Sequence, residues 1–289
     1  MSSTFYCFPS PAKLNLFLHV NNQRSDGYHE LQTLFQFLDH SDSIEISPNK
    51  SKNIVLLTPI KNVNNNDNLI IKAASLLKQL ATNQNAQQEN LGCDIKINKI
   101  LPMGGGLGGG SSNAATILVA LNKLWHLNFS IDQLAELGLQ LGADVPFFVR
   151  GFAAYAEGVG EVLSPASPKE YWYLVAKPNC AIATQAVFQS KHLPRNTPKI
   201  DFTKIKVEQS HNDCQTAVIK SYPEVANLLA WLVEYAPSQM TGTGSCLFSR
   251  FNTKTEALTV QAKLPNGIDS FVAKGLNQSP LVEAIAAIK

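Results

Sequence analysis

Residues 13–20 alternate strictly. Leu14, Leu16, Leu18 and Val20 share one face, and Lys13, Asn15, Phe17 and His19 share the other, which predicts a half-buried strand with polar groups on its second side. A turn at Arg24-Ser25-Asp26-Gly27 leads to a second strand over residues 31–38, with shorter ones at 43–46 and 53–57. After an Asn-rich loop at 62–66, Asp67 or Asn68 stands where it can cap a helix with apolar positions Leu69, Ile70, Ala73, Leu76, Leu77 and Leu80. Residues 93–98 alternate again and run through Leu101 and Pro102 into a glycine-rich segment. Beyond it, 111–125 reads as an uninterrupted helix. Ser130-Ile131-Asp132-Gln133 is a capping box opening another helix, which Gly142 would end. Residues 147–149 and 152–156 are expected to be strands about an Arg150-Gly151 turn.

The second half mixes strands (171–176, 246–251, 271–274) with helices (223–236, 253–264). Helix pairs interrupt runs of strands without strict βαβ alternation, so the expected class is α+β. The glycines and prolines of residues 157–168 suit a boundary, giving domains at 1–160 and 161–289. At 289 residues the chain is long enough for two domains.

Composition narrows the function classes. The chain is 45% hydrophobic and 16% charged, with a formal net charge of +2 and no run of basic residues. It is therefore globular, with no electrostatic footprint for nucleic acid, and any phosphate recognition must be local. No stretch approaches ~18 consecutive apolar residues, so no membrane association is expected. Cys7, Cys93, Cys180, Cys214 and Cys246 are scattered singly and form no C-x-x-C pair, and residues 1–10 lack the basic start and apolar run of a leader. Both features predict a cytoplasmic chain.

Gly104, Gly105, Gly106, Leu107, Gly108, Gly109 and Gly110 place six glycines in seven residues directly before a helix. So many glycines serve positive φ angles or the close approach of a ligand. The helix start offers unpaired N–H groups, and Ser111 and Ser112 add hydroxyls, so the segment reads as a phosphate cradle. Gly104, Gly106 and Gly109 satisfy G-x-G-x-x-G, but the dinucleotide version wants an acidic residue about 20 positions on, in a βαβ unit. Here the next acid, Asp132, lies in a helix-capping segment. Gly105 to Ser112 also approximates the Walker A loop, with Ser111 where Lys is required; either a phosphate-binding lysine comes from elsewhere or the nucleotide is held in a different mode. A flexible linker is the plain alternative, but Pro102 before the run and an apolar helix after it do not fit one.

Other polar groups are less distinctive alone. Lys13 and Asn15 share a strand face that could simply be solvated. Asp144, in a tight turn flanked by Leu141, Pro146, Phe147 and Phe148, is either a turn-former or a carboxylate placed to take a proton from a hydroxyl. Tyr28 and His29 offer an aromatic face and an imidazole, or surface packing. Thr241-Gly242-Thr243-Gly244-Ser245 is a second glycine loop, too short to name a ligand.

Taken in order, these segments resemble the GHMP kinases, with Pro102, Met103 and the glycine run through Ser112 similar to that family's phosphate loop. The segments 9–16, 24–29, 141–146, 241–245 and 271–275 extend the resemblance over nearly the whole chain. They are most similar to the branch that phosphorylates the 2-hydroxyl of 4-diphosphocytidyl-2-C-methyl-D-erythritol on the non-mevalonate route to isoprenoids. The resemblance implies a two-domain α+β fold with ATP and a small-molecule substrate meeting in the cleft between the domains. It also implies Mg²⁺ held mainly by ATP phosphates with no dedicated metal site, in a monomer or homodimer. By position, Asp144 would be the base and Lys13 its partner, with Asn68, Lys99 and residues 102–112 on the ATP side. Asn15 would lie near the erythritol, Tyr28 and His29 would read the cytosine, Phe188 would oppose them, and Thr184 would line the same end. A homoserine or mevalonate kinase of the family, or a non-catalytic nucleotide sensor on the same fold, are the alternatives. Tyr28 and His29 favour a base-bearing substrate, and the Lys13–Asp144 combination favours catalysis.

Overall fold

The computed structural model describes residues 4–61, 63–64, 67–84, 91–207 and 210–288. Part of the Asn-rich segment 62–66 thus lies outside the described residues. The first half runs β1 (Tyr6–Gln23), β2 (His29–Asn49), β3 (Ile54–Leu56), α1 (Leu69–Gln84), β4 (Gly92–Asn98), α2 (Gly109–Leu124), α3 (Ile131–Leu139), α4 (Val145–Arg150), β5 (Ala154–Glu157) and β6 (Val162–Pro165). The second runs β7 (Trp172–Lys177), α5 (Thr184–Gln189), α6 (Asp213–Ser221), α7 (Pro223–Val233), β8 (Ser238–Met240), β9 (Leu247–Phe251), α8 (Lys254–Gln261), β10 (Asp269–Leu276) and α9 (Pro280–Ala286). The fold is α+β, as expected.

The long strand β2 organises the sheet. Along one edge it pairs antiparallel with β1; elsewhere along its length it meets β5 at Thr33–Phe35, β10 at Phe37 and Leu38, and β4 at Ser43–Asn49. The sheet order β3-β4-β2-β10-β7-β9-β8 therefore carries both halves, joined at β2–β10. The β5–β6 hairpin straddles residue 160.

Three differences from the sequence reading have clear physical causes. Residues 31–38 and 43–46 belong to one strand that continues through the polar stretch between them: β1 pairs alongside at Ser41 and Asp42, and Asp42 is fully buried and hydrogen-bonded. The strand β1 is buried on both faces. Its Phe8 packs in the first-half core with Phe37, Ile44 and α2, its Leu14, Leu16 and Phe17 in a central cluster with Leu107, Tyr173 and Phe248, and its Leu18 and Val20 in the second-half core with Leu174 and Leu247. Register shifts between Pro11 and Lys13, Asn15 and Leu18, and Val20 and Asn22 break the simple alternation. Finally, 147–149 is not a strand but the middle of α4. Periodicity cannot separate a short apolar run buried all round as helix from one buried as strand. Here Pro146 lies in the first turn and Gly151 ends the helix at φ 74°.

The predicted caps are present. Ser130 and Gln133 form a reciprocal capping box, and Asn68 Oδ1 accepts from Ile70 N at 3.0 Å. The helix after Ser130 stops at Leu139, short of Gly142, and the helix after the glycine run starts at Gly109, two residues before Ser111.

Candidate active site

A cleft of about 1400 Å³ runs from the glycine segment to the turn after β1. At its centre, Lys13 rises from β1 and is only 3% exposed. Its ammonium donates to Asn15 Oδ1 at 2.6 Å and to the Gly106 carbonyl at 3.0 Å, lies 5.2 Å above the Phe35 ring, and stands 3.5 Å from Asp144 Oδ2. Asp144 is the N-cap residue of α4 but its side chain makes no capping bond; the carboxylate is turned to Lys13 and the cleft instead. Asn15 is fixed in turn: its Nδ2 donates to Thr33 Oγ1 at 2.9 Å, and the Thr33 hydroxyl donates to the Phe17 carbonyl. A buried charge is tolerated when its hydrogen bonds are met, and the surroundings of Lys13 meet that condition.

The glycine segment wraps this centre. Lys13 N donates to Leu107 O at 3.0 Å, and Cys246 N, just past the second glycine loop, donates to Gly105 O at 3.2 Å. Asn15 N donates to Thr241 Oγ1 at 2.9 Å, so the first strand, the glycine segment and the second glycine loop are pinned together. Gly108 is the N-cap of α2, and Ser112 N makes the helix's first bond to Gly108 O at 2.8 Å. The N–H groups of Gly109, Gly110 and Ser111 are therefore the unpaired donors of a helix start, facing the cleft. Lys99 stands over them, close enough that a Cβ on Gly109 would be 3.0 Å from its Nζ. Its Nζ is held there by Asp42 Oδ2 at 2.6 Å.

Three features fit an anionic nucleotide here: the free helix-start amides, the Lys99 ammonium, and the buried Asn68 amide nitrogen on the cleft wall, which has no partner among the described residues. Ser112 does not line this cradle. It is 1% exposed and its hydroxyl accepts from Ser10 Oγ at 2.9 Å, behind the wall. Among the described residues, no three His, Cys, Asp or Glu side chains converge on a possible metal position.

At the opposite end, Tyr28 is 65% exposed at the close of the turn between β1 and β2, where its carbonyl accepts from Arg24 N at 2.7 Å. His29 is buried and stacks on Phe188 of α5, with ring centroids 5.1 Å apart at 26°. These two rings already touch, so no third ring fits between them. A base at this end would be flanked by Tyr28 and by the His29–Phe188 pair as a unit. Thr184, also of α5, shares a hydroxyl–hydroxyl bond of 3.0 Å with Thr243 of the second glycine loop.

Sequence reasoning missed several residues that hold this site. Asp42 accepts from Lys99 Nζ (2.6 Å), Asn113 Nδ2 (2.9 Å), and Ile100 N and Leu101 N (both 2.8 Å). It sat unremarked among the polar residues 39–42. Thr33 and Arg195 carried no local signal either.

Residues 68–152 match the GHMP kinases N terminal domain, and residues 202–269 match the GHMP kinases C terminal domain. A 4-diphosphocytidyl-2-C-methyl-D-erythritol kinase of Colwellia psychrerythraea is 60% identical over 286 residues, spanning 97% of this chain and 93% of that protein. The chain belongs to the GHMP kinases. A second relative with the same name, from Shewanella denitrificans, is 56% identical across 96% of both chains. A crystal structure of a 4-(cytidine 5'-diphospho)-2C-methyl-D-erythritol kinase superposes on this GHMP kinase with a TM-score of 0.81 at 29% identity, covering 93% of this chain and 98% of that one. The family is one of small-molecule kinases.

Proposed function

We propose that this kinase transfers the γ-phosphoryl group of ATP to the 2-hydroxyl of 4-diphosphocytidyl-2-C-methyl-D-erythritol. The observation that carries this reading is the Lys13–Asp144 pair at 3.5 Å, set between the glycine cradle and the aromatic end of one cleft. The 56–60% identity to relatives of that name supports the same substrate.

Phosphoryl transfer asks mainly for positioning and charge neutralisation. In our reading, residues 102–111, Asn68 and Lys99 hold the nucleotide, and Mg²⁺ accompanying ATP is held mainly by phosphate oxygens. The substrate hydroxyl donates its proton to the Asp144 carboxylate as its oxygen bonds to phosphorus and the bond to the leaving ADP oxygen breaks. The Lys13 ammonium orients that carboxylate and balances charge on the transferring group, while Asn15 keeps Lys13 in place. The division of labour follows the chain: the segment up to residue 160 binds ATP and carries the base, and residues 161–289 complete the substrate end. No helix among the described residues is long and apolar enough to cross a membrane, and we place the enzyme in the cytoplasm.

A general base contributes ~10²–10⁴ in rate. Asp144→Ala is expected to lower kcat by at least ~10²-fold with the thermal transition preserved. A loss below about tenfold would remove Asp144 from the role. Substrate identity is tested by turnover of the purified protein on the cytidine compound with mevalonate and homoserine in parallel. Turnover on either of the latter at a comparable rate would overturn the assignment.

A further inference from the structure

Arg195, in the segment following α5, is anchored on all sides. Its Nη2 donates to Phe188 O at 2.8 Å and Ser190 O at 3.0 Å, its Nη1 to Leu193 O at 3.1 Å, and its Nε to His29 Nε2 at 3.2 Å. A guanidinium stays protonated and has no lone pair to offer. The contact with Nε2 is a hydrogen bond only if that nitrogen is bare, so a neutral His29 must carry its proton on Nδ1. The ring belongs to the cleft wall, and Nδ1 has no partner among the described residues.

We propose that Arg195 is a positioning residue for substrate recognition: it locks His29 as a neutral Nδ1–H donor, so that this end of the cleft reads a lone-pair acceptor on the substrate's pyrimidine. This rests on the reading of Tyr28, His29 and Phe188 as the cytidine end. The same guanidinium fixes the Phe188 carbonyl, so one side chain sets both members of the stacked pair.

Protonating His29 would turn an N–H against Arg195. Burial and then the Arg195 charge hold its pKa below the ordinary 6.5. The other charged groups nearby are engaged elsewhere. Asp26 and Glu30, beside His29 in the chain, pair with Arg24 at 2.8 and 3.6 Å, and Glu157 of β5 accepts from Gln32 at 3.1 Å. The imidazole is thus kept neutral where an isolated histidine would titrate.

The first test needs no variant. Two-bond ¹⁵N correlation spectra of the whole protein should show His29 with its proton on Nδ1 and a titration midpoint below the ordinary 6.5. An Nε2–H tautomer would overturn the proposal. The second is kinetic. Arg195→Met should raise KM for the cytidine compound about tenfold with kcat changed far less, and should make KM vary between about pH 6 and 8 as the freed imidazole titrates. Arg195→Lys, which keeps one donor for Nε2, should restore part of the affinity. If Arg195→Met leaves KM and its pH profile as in the parent, the lock is refuted. His29→Ala separates the two levels of the argument. If it leaves KM unchanged, the cytidine-end reading itself fails. If it raises KM while Arg195→Met does not, only the role of Arg195 fails.

Discussion

Gly106 meets two constraints at once. Its φ of 76° lies in the left-handed region, and a Cβ there would overlap the Thr241 carbonyl oxygen, a backbone atom that cannot swing aside. Its own carbonyl accepts from Lys13 Nζ, so any shift that relieved the overlap would move the ammonium beside Asp144. Gly104, two residues earlier at φ 66°, has open space where its Cβ would be. The pair separates conformational strain from collision. Gly104→Ala should cost about 1–2 kcal/mol, the strain of a left-handed non-glycine residue. Gly106→Ala should cost more, about 3 kcal/mol or above, and reduce kcat as well. Thermal melts with steady-state kinetics on both variants check this, and equal losses for the two would refute the role of the collision.

At the scale of elements, Asp42 couples β2 to the turn before the glycine segment, through Ile100 and Leu101, and to α2, through Asn113. It also sets Lys99 at the mouth of the cradle. Asp42→Asn keeps the volume but loses the charge and forces an NH₂ group toward donors, leaving Lys99 without its counter-ion. The expected result is a destabilisation of about 3–5 kcal/mol, the scale for breaking a buried ion pair, with weakened ATP affinity. Calorimetry of ATP binding together with a denaturant melt measures both, and unchanged ATP affinity would remove Asp42 from the cradle. Asp42 also shows where legibility in the sequence ended. Motifs whose chemistry is local could be read: the glycine run, the Ser130 capping box and the Asn68 cap. Lys13 and Asp144 were named through their place in a resemblance, while their 3.5 Å separation is a tertiary fact. Asp42, Thr33 and Arg195 act across 16 to 166 residues of chain and had no local pattern to reveal them. The short helix α4 misled for another reason. An apolar run buried on every side has no polar face from which a period can be read.

Across the whole molecule, the two halves meet where β1 passes into the second core. There Leu18 N donates to His211 O at 3.0 Å and Val20 N to Asp213 Oδ2 at 2.7 Å. Between these bonds His19 is buried, 2% exposed, with its ring 4.9 Å from Phe17 and 4.7 Å from His211, and neither ring nitrogen has a partner among the described residues. Burial first, then His211, lower its pKa from 6.5, against an opposing pull from Asp213. His29 and His40 are lowered too, each mainly by burial. All three favour the neutral ring in the folded state, so between their folded values and 6.5 the unfolded chain binds more protons. Stability from these sites is complete above about pH 6.5 and is lost as pH falls below it, before ordinary carboxylates near about pH 4 protonate. Tm should therefore be level above about pH 7 and fall as pH drops below about 6.5, by about 2–4 °C for each kcal/mol lost. His19→Phe should flatten part of that decline, since it removes the one of these rings wedged at the joint between the halves. A Tm that holds or rises over this interval would mean that the buried rings accept protons without cost, and that the joint does not depend on their neutrality.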